Sequence, residues 1–157
     1  MIYIGKLVNT HGIKGEVRII SSFKYKEEVF KKDSIIYIKN QKYKINSYRK
    51  HKQFDMVTLE GINDINDAIP LKGSLVYINR EDYNFSGLLN EDLYGKKVYD
   101  KDKYIGVLKN IRQNGNQELL EVEKDNKKYL IPYVKEFVKS IDEDIHLNLI
   151  KGFIDED

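Results

Sequence analysis

MIYIGKLVNTHGIKGEVRII, residues 1–20, reads as two β-strands joined by a turn. Strand formers around Leu7-Val8 and again at Val17–Ile20 flank the segment Asn9–Glu16, NTHGIKGE. Gly12 and Gly15 admit backbone conformations closed to other residues, so the segment is expected to be a tight, shaped turn that presents His11 and Lys14 at a rim. The spacing fits neither the dinucleotide fingerprint nor the Walker loop, and a strand rather than a helix follows it. The plainer reading is a hairpin loop with incidental polar side chains.

The same rhythm continues outward. IYIGKLVN, GEVRIIS, SIIYIK, KYKINSY, FDMVTLEG and SLVYINR are short runs rich in Ile, Val, Tyr and Phe, separated by Gly, Asn, Asp and Lys. Six such strands predict a closed or nearly closed barrel. Tyr25–Lys32 and Asp64–Lys72 interrupt the pattern; Asn63 or Asp64 is placed to cap a helix that Pro70 limits to a turn or two. After Arg80 the polar stretch EDYNFSGLLNED reads as a linker. LYGKKVYD, YIGVLKNIR, QELLEVEK, KKYLIPYV and DIHLNLI then form a second strand set, with hairpin chemistry at DKDK, QNGNQ and KDNKK. The expected fold is all-β: two small β-barrels in tandem, residues 1–82 and 92–157, joined by a linker over 83–91.

Composition excludes several chemistries. The 157 residues are 41% hydrophobic, enough for a core, and contain no cysteine, so disulfides, thiolate metal sites and cysteine nucleophiles are ruled out. The N-terminus has no basic segment followed by an apolar run, and no stretch is long enough for a membrane span, which leads to the expectation of a cytoplasmic protein without a membrane partner. Residues 1–84 carry 15 Lys/Arg against 10 Asp/Glu, net +5, and residues 85–157 carry 12 against 15, net −3, restoring the overall +2. Nucleic-acid contact is therefore expected to be local, and the acidic half to suit a basic protein partner.

Tyr48–Phe54, YRKHKQF, interleaves Arg49, Lys50, His51 and Lys52 with aromatic ends, a composition suited to RNA backbone contact and base stacking. The competing reading is a solvated hairpin tip with Tyr48 and Phe54 entering the core. His11, His51 and His146 are too few and too scattered for a metal site, and Ser21, Ser22, Ser34 and Ser47 lack nucleophile context. Acidic pairs such as Glu27-Glu28 and Glu91-Asp92 lie in polar runs and are expected to be solvated. Nothing in these patterns argues for an enzyme or a cofactor.

Four collinear segments carry a resemblance: GKLVNTHGIKGEVRI, RKHKQFDMVTLEGINDINDAIPLKGSLVYI, EDLYGKKVYDKDKYIGVLKNI and YLIPYVKEFVKSID. Together they resemble the ribosome maturation factor RimM family over nearly the whole chain. The Thr-His-Gly-Ile-Lys-Gly and Leu-Glu-Gly-Ile-Asn-Asp segments are particular to it, whereas Asp-Leu-Tyr-Gly and Ile-Pro are shared more widely among PRC-barrel domains. The resemblance implies a six-stranded translation-factor-like barrel followed by a PRC barrel. It also implies a non-catalytic assembly factor that binds the immature 30S subunit near its head and ribosomal protein S19, and supports 16S rRNA processing.

Under that resemblance His11, Lys14, Arg49, Lys50, His51 and Lys52 are the expected ribosome- or RNA-binding residues, with Gly12 and Gly15 shaping the loop. Tyr83, Phe85, Leu88 and Leu89 are the expected partner-protein contacts. Where the family often carries paired tyrosines before Asp-Leu-Tyr-Gly, this chain has Leu88 and Leu89. The expected state is a monomer. The alternatives are an RNA chaperone without a ribosomal address, or an enzyme using an unrecognised carboxylate pair.

Overall fold

A computed structural model describes residues 1–149; the acidic end, Asp155–Asp157, and Ile150 of the last expected strand lie outside the described residues. The chain divides into two compact units, Met1–Ser86 and Gly87–Asp157.

In the first unit six strands form a closed barrel: β1 (Ile2–His11), β2 (Glu16–Ile20), β3 (Ile35–Ile38), β4 (Gln41–His51), β5 (Phe54–Leu59) and β6 (Leu75–Ile78). Their order around the barrel is β1-β2-β5-β4-β3-β6. Closure depends on the length of β1, whose first half pairs with β6 and whose second half pairs with β2. Register shifts at Tyr3/Gly5 and Leu7/Asn9 bend that strand between its two partners. With both neighbours paired, no strand is left as an open edge.

Alternation sends Ile4, Leu7, Val17, Ile19, Ile36, Ile38, Ile45, Val57, Leu59, Val76 and Ile78 into the interior, where each is essentially inaccessible. Burying such side chains stabilises the fold by about 1.5–3 kcal/mol apiece before entropic costs. The interruptions at Tyr25–Lys32 and Asp64–Lys72 become short helices, α1 (Lys26–Val29) and α2 (Ile65–Ala68), the latter running into a 3₁₀ turn at Ile69–Leu71 that contains Pro70. Asp64 is the cap: its Oδ1 accepts from the backbone N–H of Asn66 at 2.8 Å and of Asp67 at 3.1 Å.

The second unit opens with α3 (Asn90–Leu93) and continues as β7 (Lys97–Asp100), β8 (Lys103–Asn114), β9 (Gln117–Lys124), β10 (Lys127–Pro132), β11 (Val138–Ile141) and β12 (Ile145–Leu147). They make a six-stranded sheet in the order β10-β9-β8-β7-β12-β11. Only five strands are expected there from periodicity; β11, four residues in which Lys139-Ser140 sit between Val138 and Ile141, lacks a readable apolar stripe. The core of this unit gathers Leu93, Val98, Ile105, Leu108, Leu120, Val122, Ile131, Ile145, Leu147 and Leu149. The all-β, two-unit architecture expected from the strand pattern is the one observed.

Candidate nucleic-acid interface

The β1–β2 turn and the β4–β5 hairpin tip come together at one end of the first barrel. His11 and Glu16 are the last paired residues of the first hairpin, and His51 and Phe54 those of the second. Gly12 and Gly15 both take positive φ, +74° and +86°. Their surroundings differ. A Cβ on Gly12 would meet nothing within 4 Å, whereas one on Gly15 would lie 3.0 Å from the carbonyl oxygens of Ile62 and Asp64. The loop is further pinned by Ile65 N–H donating to the Ile13 carbonyl at 3.0 Å, which leaves Lys14 exposed.

His11 and His51 face each other with ring centroids 5.9 Å apart. Arg18 Nη2 lies 2.6 Å from His11 Nδ1; a guanidinium can only donate, so Nδ1 accepts and the ring proton sits on Nε2. The same guanidinium lies over the Phe54 ring at 5.4 Å. Desolvation, followed by the neighbouring charges of Arg49, Lys52 and Arg18, holds His51 below the ordinary histidine range.

The hairpin cations are unequal. Arg49 grips Glu16 through two hydrogen bonds, and this contact, more than any other, lowers the Glu16 carboxyl. Lys50 Nζ stands 4.0 Å from Asp55 Oδ1. Asp55 is 1% exposed and is also bound by Lys26 Nζ at 3.1 Å and by the Tyr48 hydroxyl at 2.8 Å. Burial, followed by the bond to Asp55, pushes the Tyr48 hydroxyl up to about 12. Lys52 is exposed at the tip with φ +56°. Of the two aromatic ends expected in the core, Phe54 is half-buried, while Tyr48 is 38% exposed and points its hydroxyl at Asp55. Arg18 and Glu16 belong to the cluster although the residue pattern did not single them out; their outward alternation with buried Val17 and Ile19 was the available signal.

Tyr83 and Phe85 lie elsewhere on the first unit. The rings of Tyr83 and Phe85 stack at 5.2 Å with 1° between planes, and Phe85 also stacks on Tyr25 at 5.2 Å and meets Phe23 edge-on at 5.6 Å. The Tyr83 hydroxyl donates to the Ile35 carbonyl at 2.6 Å, and burial pushes it up to about 12. Ser86 then donates twice to Glu28, from its N–H at 2.9 Å and its hydroxyl at 2.7 Å. Residues 83–86 are thus fastened along the first unit. Leu88 and Leu89 diverge, as adjacent side chains of an extended segment must: Leu88 is 47% exposed and Leu89 2%.

Among the described residues, no group of three or more His, Asp or Glu is placed to hold a metal ion, and no helix is long and apolar enough to cross a membrane. The arrangement offers cations, imidazoles and an aromatic ring to a ligand, which is a binding chemistry.

Comparison with known proteins gives this surface its setting. The model of the RimM N-terminal domain matches residues 2–83, and that of the RimM PRC barrel domain matches residues 90–149. The chain is 38% identical over 170 residues to the ribosome maturation factor RimM of Bacillus pumilus, covering 98% of this chain and 96% of the relative. It is 36% identical over 166 residues to that of Staphylococcus haemolyticus, covering 98% and 99%. The solution structure of the N-terminal domain of RimM from Thermus thermophilus is 20% identical, covers 55% of this chain and 96% of that one, and superposes with a TM-score of 0.47. With both halves matched by their own domain models and full-length relatives well above 30% identity, the chain belongs to the ribosome maturation factor RimM family.

Proposed function

We propose that this protein binds the immature 30S subunit at its head and ribosomal protein S19, and thereby supports 16S rRNA processing as a monomeric, cytoplasmic, non-enzymatic assembly factor. The observation that carries the reading is the loop-and-hairpin rim, in which Arg18, His51 and Lys52 lie together and Lys14 is exposed on the adjoining loop, in the domain that matches the RimM N-terminal model. Such a rim recognises phosphate and unpaired bases and needs no reacting group. The net acidity of residues 85–157 suits a basic ribosomal protein, and Tyr83, Phe85 and the exposed Leu88 are the apolar contacts proposed for it, while Leu89 is buried and supports the segment from within. The factor acts by binding one arrangement of the particle more tightly than its competitors, and leaves when the mature surface no longer offers the same contacts. Sucrose-gradient sedimentation tests this. The tagged chain should migrate with free small subunits and their precursors and be scarce on 70S monosomes and polysomes; an even distribution, or none on subunits, overturns it.

A further inference from the structure

We propose that the outer face of β1, β6 and β3 is a stacking platform for single-stranded RNA, distinct from the rim formed by the loop and hairpin. Three tyrosines from three adjacent strands share one register row: Tyr3 is paired with Tyr77, and Tyr77 with Tyr37. The row continues to Lys42, opposite Tyr37 on β4. Strand alternation aims the three tyrosines outward, because the flanking residues Ile2, Ile4, Ile36, Ile38, Val76 and Ile78 are buried, and Lys42, exposed and paired with Tyr37, shares their face. The Tyr3 and Tyr77 rings meet edge to face at 6.0 Å and 69°, yet Tyr3 remains 54% exposed.

A second row runs beside the aromatic one. Lys6 is paired with Leu75, which is itself 44% exposed, and Lys39 follows directly on the end of β3. Tyr37 and Tyr77 wall a cavity of about 610 Å³ together with Lys39, Lys72 and Leu75, and no carboxylate lines it among the described residues. Its volume falls in the ~300–1,000 Å³ range of small-ligand sites. Lys39 Nζ donates to the Pro70 carbonyl at 2.6 Å, which holds that ammonium in place beside the rings.

The chemistry selects the occupant. Neighbouring strands stand ~4.8 Å apart, so rings on adjacent strands offer consecutive surfaces to splayed bases while the lysines meet the backbone phosphates. A basic ribosomal protein would be repelled by Lys6, Lys39, Lys42 and Lys72. Duplex RNA keeps its base faces inside its own stack and cannot use tyrosine rings. An unpaired segment of RNA satisfies both rows at once.

The test uses the full chain and a fluorescein-labelled oligouridylate of roughly 12 nucleotides, within the ~4–16-nucleotide footprint of small single-strand binders. Tyr3→Ala and Tyr77→Leu, each verified as folded by far-ultraviolet circular dichroism, should each weaken binding by about fivefold or more. Lys39→Gln and Lys72→Gln should each reduce the slope of log K against log salt by ~0.7. The oligouridylate annealed to oligoadenylate should be insensitive to Tyr3→Ala. Should Tyr77→Leu fail to fold, ultraviolet cross-linking of the native chain decides: adducts on Tyr3, Tyr37 or Tyr77 support the platform, and adducts confined to residues 11–18 and 49–54 overturn it. Absence of oligouridylate binding at low salt, or affinity unchanged by Tyr3→Ala, also overturns it. Subunit sedimentation is a separate measurement, so the platform can fail while the assembly role stands.

Discussion

Arg49 holds Glu16 across β5 by two parallel hydrogen bonds, Nε to Oε2 at 2.9 Å and Nη2 to Oε1 at 2.8 Å. The fork joins two strands that are not neighbours, and it withdraws one guanidinium from any outside anion. Replacing Glu16 with Gln should leave the barrel folded and release Arg49. Affinity for small-subunit precursors should then rise, with the log K against log salt slope steepening by about one phosphate contact. A salt titration of both proteins checks it; an unchanged slope would mean that Arg49 faces no phosphate.

The buried carboxylate of Asp55 gives the hairpin its internal anchor. Asp55→Ala removes the partner of Lys26, Tyr48 and Lys50 together and should destabilise the first unit by about 1–3 kcal/mol. Tyr48→Phe, which loses one hydrogen bond, should cost about 0.5–1.5 kcal/mol. Urea unfolding measures both. It follows that reversing Lys50 to Glu perturbs folding as well as binding, so rim charge is better tested with Lys14→Glu and Lys52→Glu.

The two loop glycines should not be equivalent. Gly12→Ala meets only the positive-φ penalty, about 1 kcal/mol, because open space surrounds the added methyl. Gly15→Ala adds contacts at 3.0 Å with two backbone carbonyls and should cost up to about 3 kcal/mol, displacing the loop from α2. Equal unfolding midpoints for the two variants would show that the loop yields freely.

His51 makes the rim sensitive to pH. Its folded-state pKa is depressed, so the unfolded chain takes up the proton first: this contribution to stability is intact above the ordinary value near 6.5 and is lost as pH falls through the lower folded value. A bound polyanion has the opposite effect, favouring the imidazolium. Ribosomal RNA affinity should therefore rise between pH 7 and pH 5.5 while unfolding resistance falls. Calorimetry in buffers of different ionisation enthalpy should detect proton uptake on binding, and His51→Gln should reduce it.

Leu88 and Leu89 should separate into two phenotypes. Leu89→Ser inserts a hydroxyl where the side chain is 2% exposed and should cost about 2–5 kcal/mol of stability. Leu88→Ser should change stability by no more than about 0.5 kcal/mol and, if the position meets a partner, weaken that binding equally at low and high salt. Calorimetric melting and a salt series of pull-downs distinguish them.

How legible this was in the residues depended on distance along the chain. The six runs of the first unit correspond to β1–β6 because alternation is local, and the position before an interrupted helical turn narrowed the cap to Asn63 or Asp64, of which Asp64 serves. β11 was not, since four residues with two polar members carry too little pattern. The Arg49–Glu16 contact depends on register across β5, and bulges at Leu7/Asn9 and Ile45/Ser47 alter register without leaving a mark in the alternation, while Asp55–Lys26 depends on where α1 packs against β5. The Tyr83–Phe85 stack was likewise hidden: two aromatics in a polar stretch do not reveal that Tyr25 and Ile35 lie beneath them. Local pattern thus marks the two turns, while the pairing between them is a property of the closed barrel.

The parallel pairing of β12 with β7 sets an order on biosynthesis. The first unit can close as soon as Leu75–Ile78 leaves the exit tunnel, because β6 supplies the last seam against β1. The later sheet cannot: β7 appears early but keeps a bare flank until Ile145–Leu147 has been translated and has slotted in beside it. A nascent chain stalled before that point would display a finished first barrel and an incomplete second sheet, with unpaired amides along β7 open to chaperones or to misplaced strands. Stalling a C-terminally extended chain so that residues up to 132–145 have left the tunnel, followed by protease challenge, should yield a resistant N-terminal fragment and a sensitive remainder, and stalling it after β12 has left the tunnel should protect both.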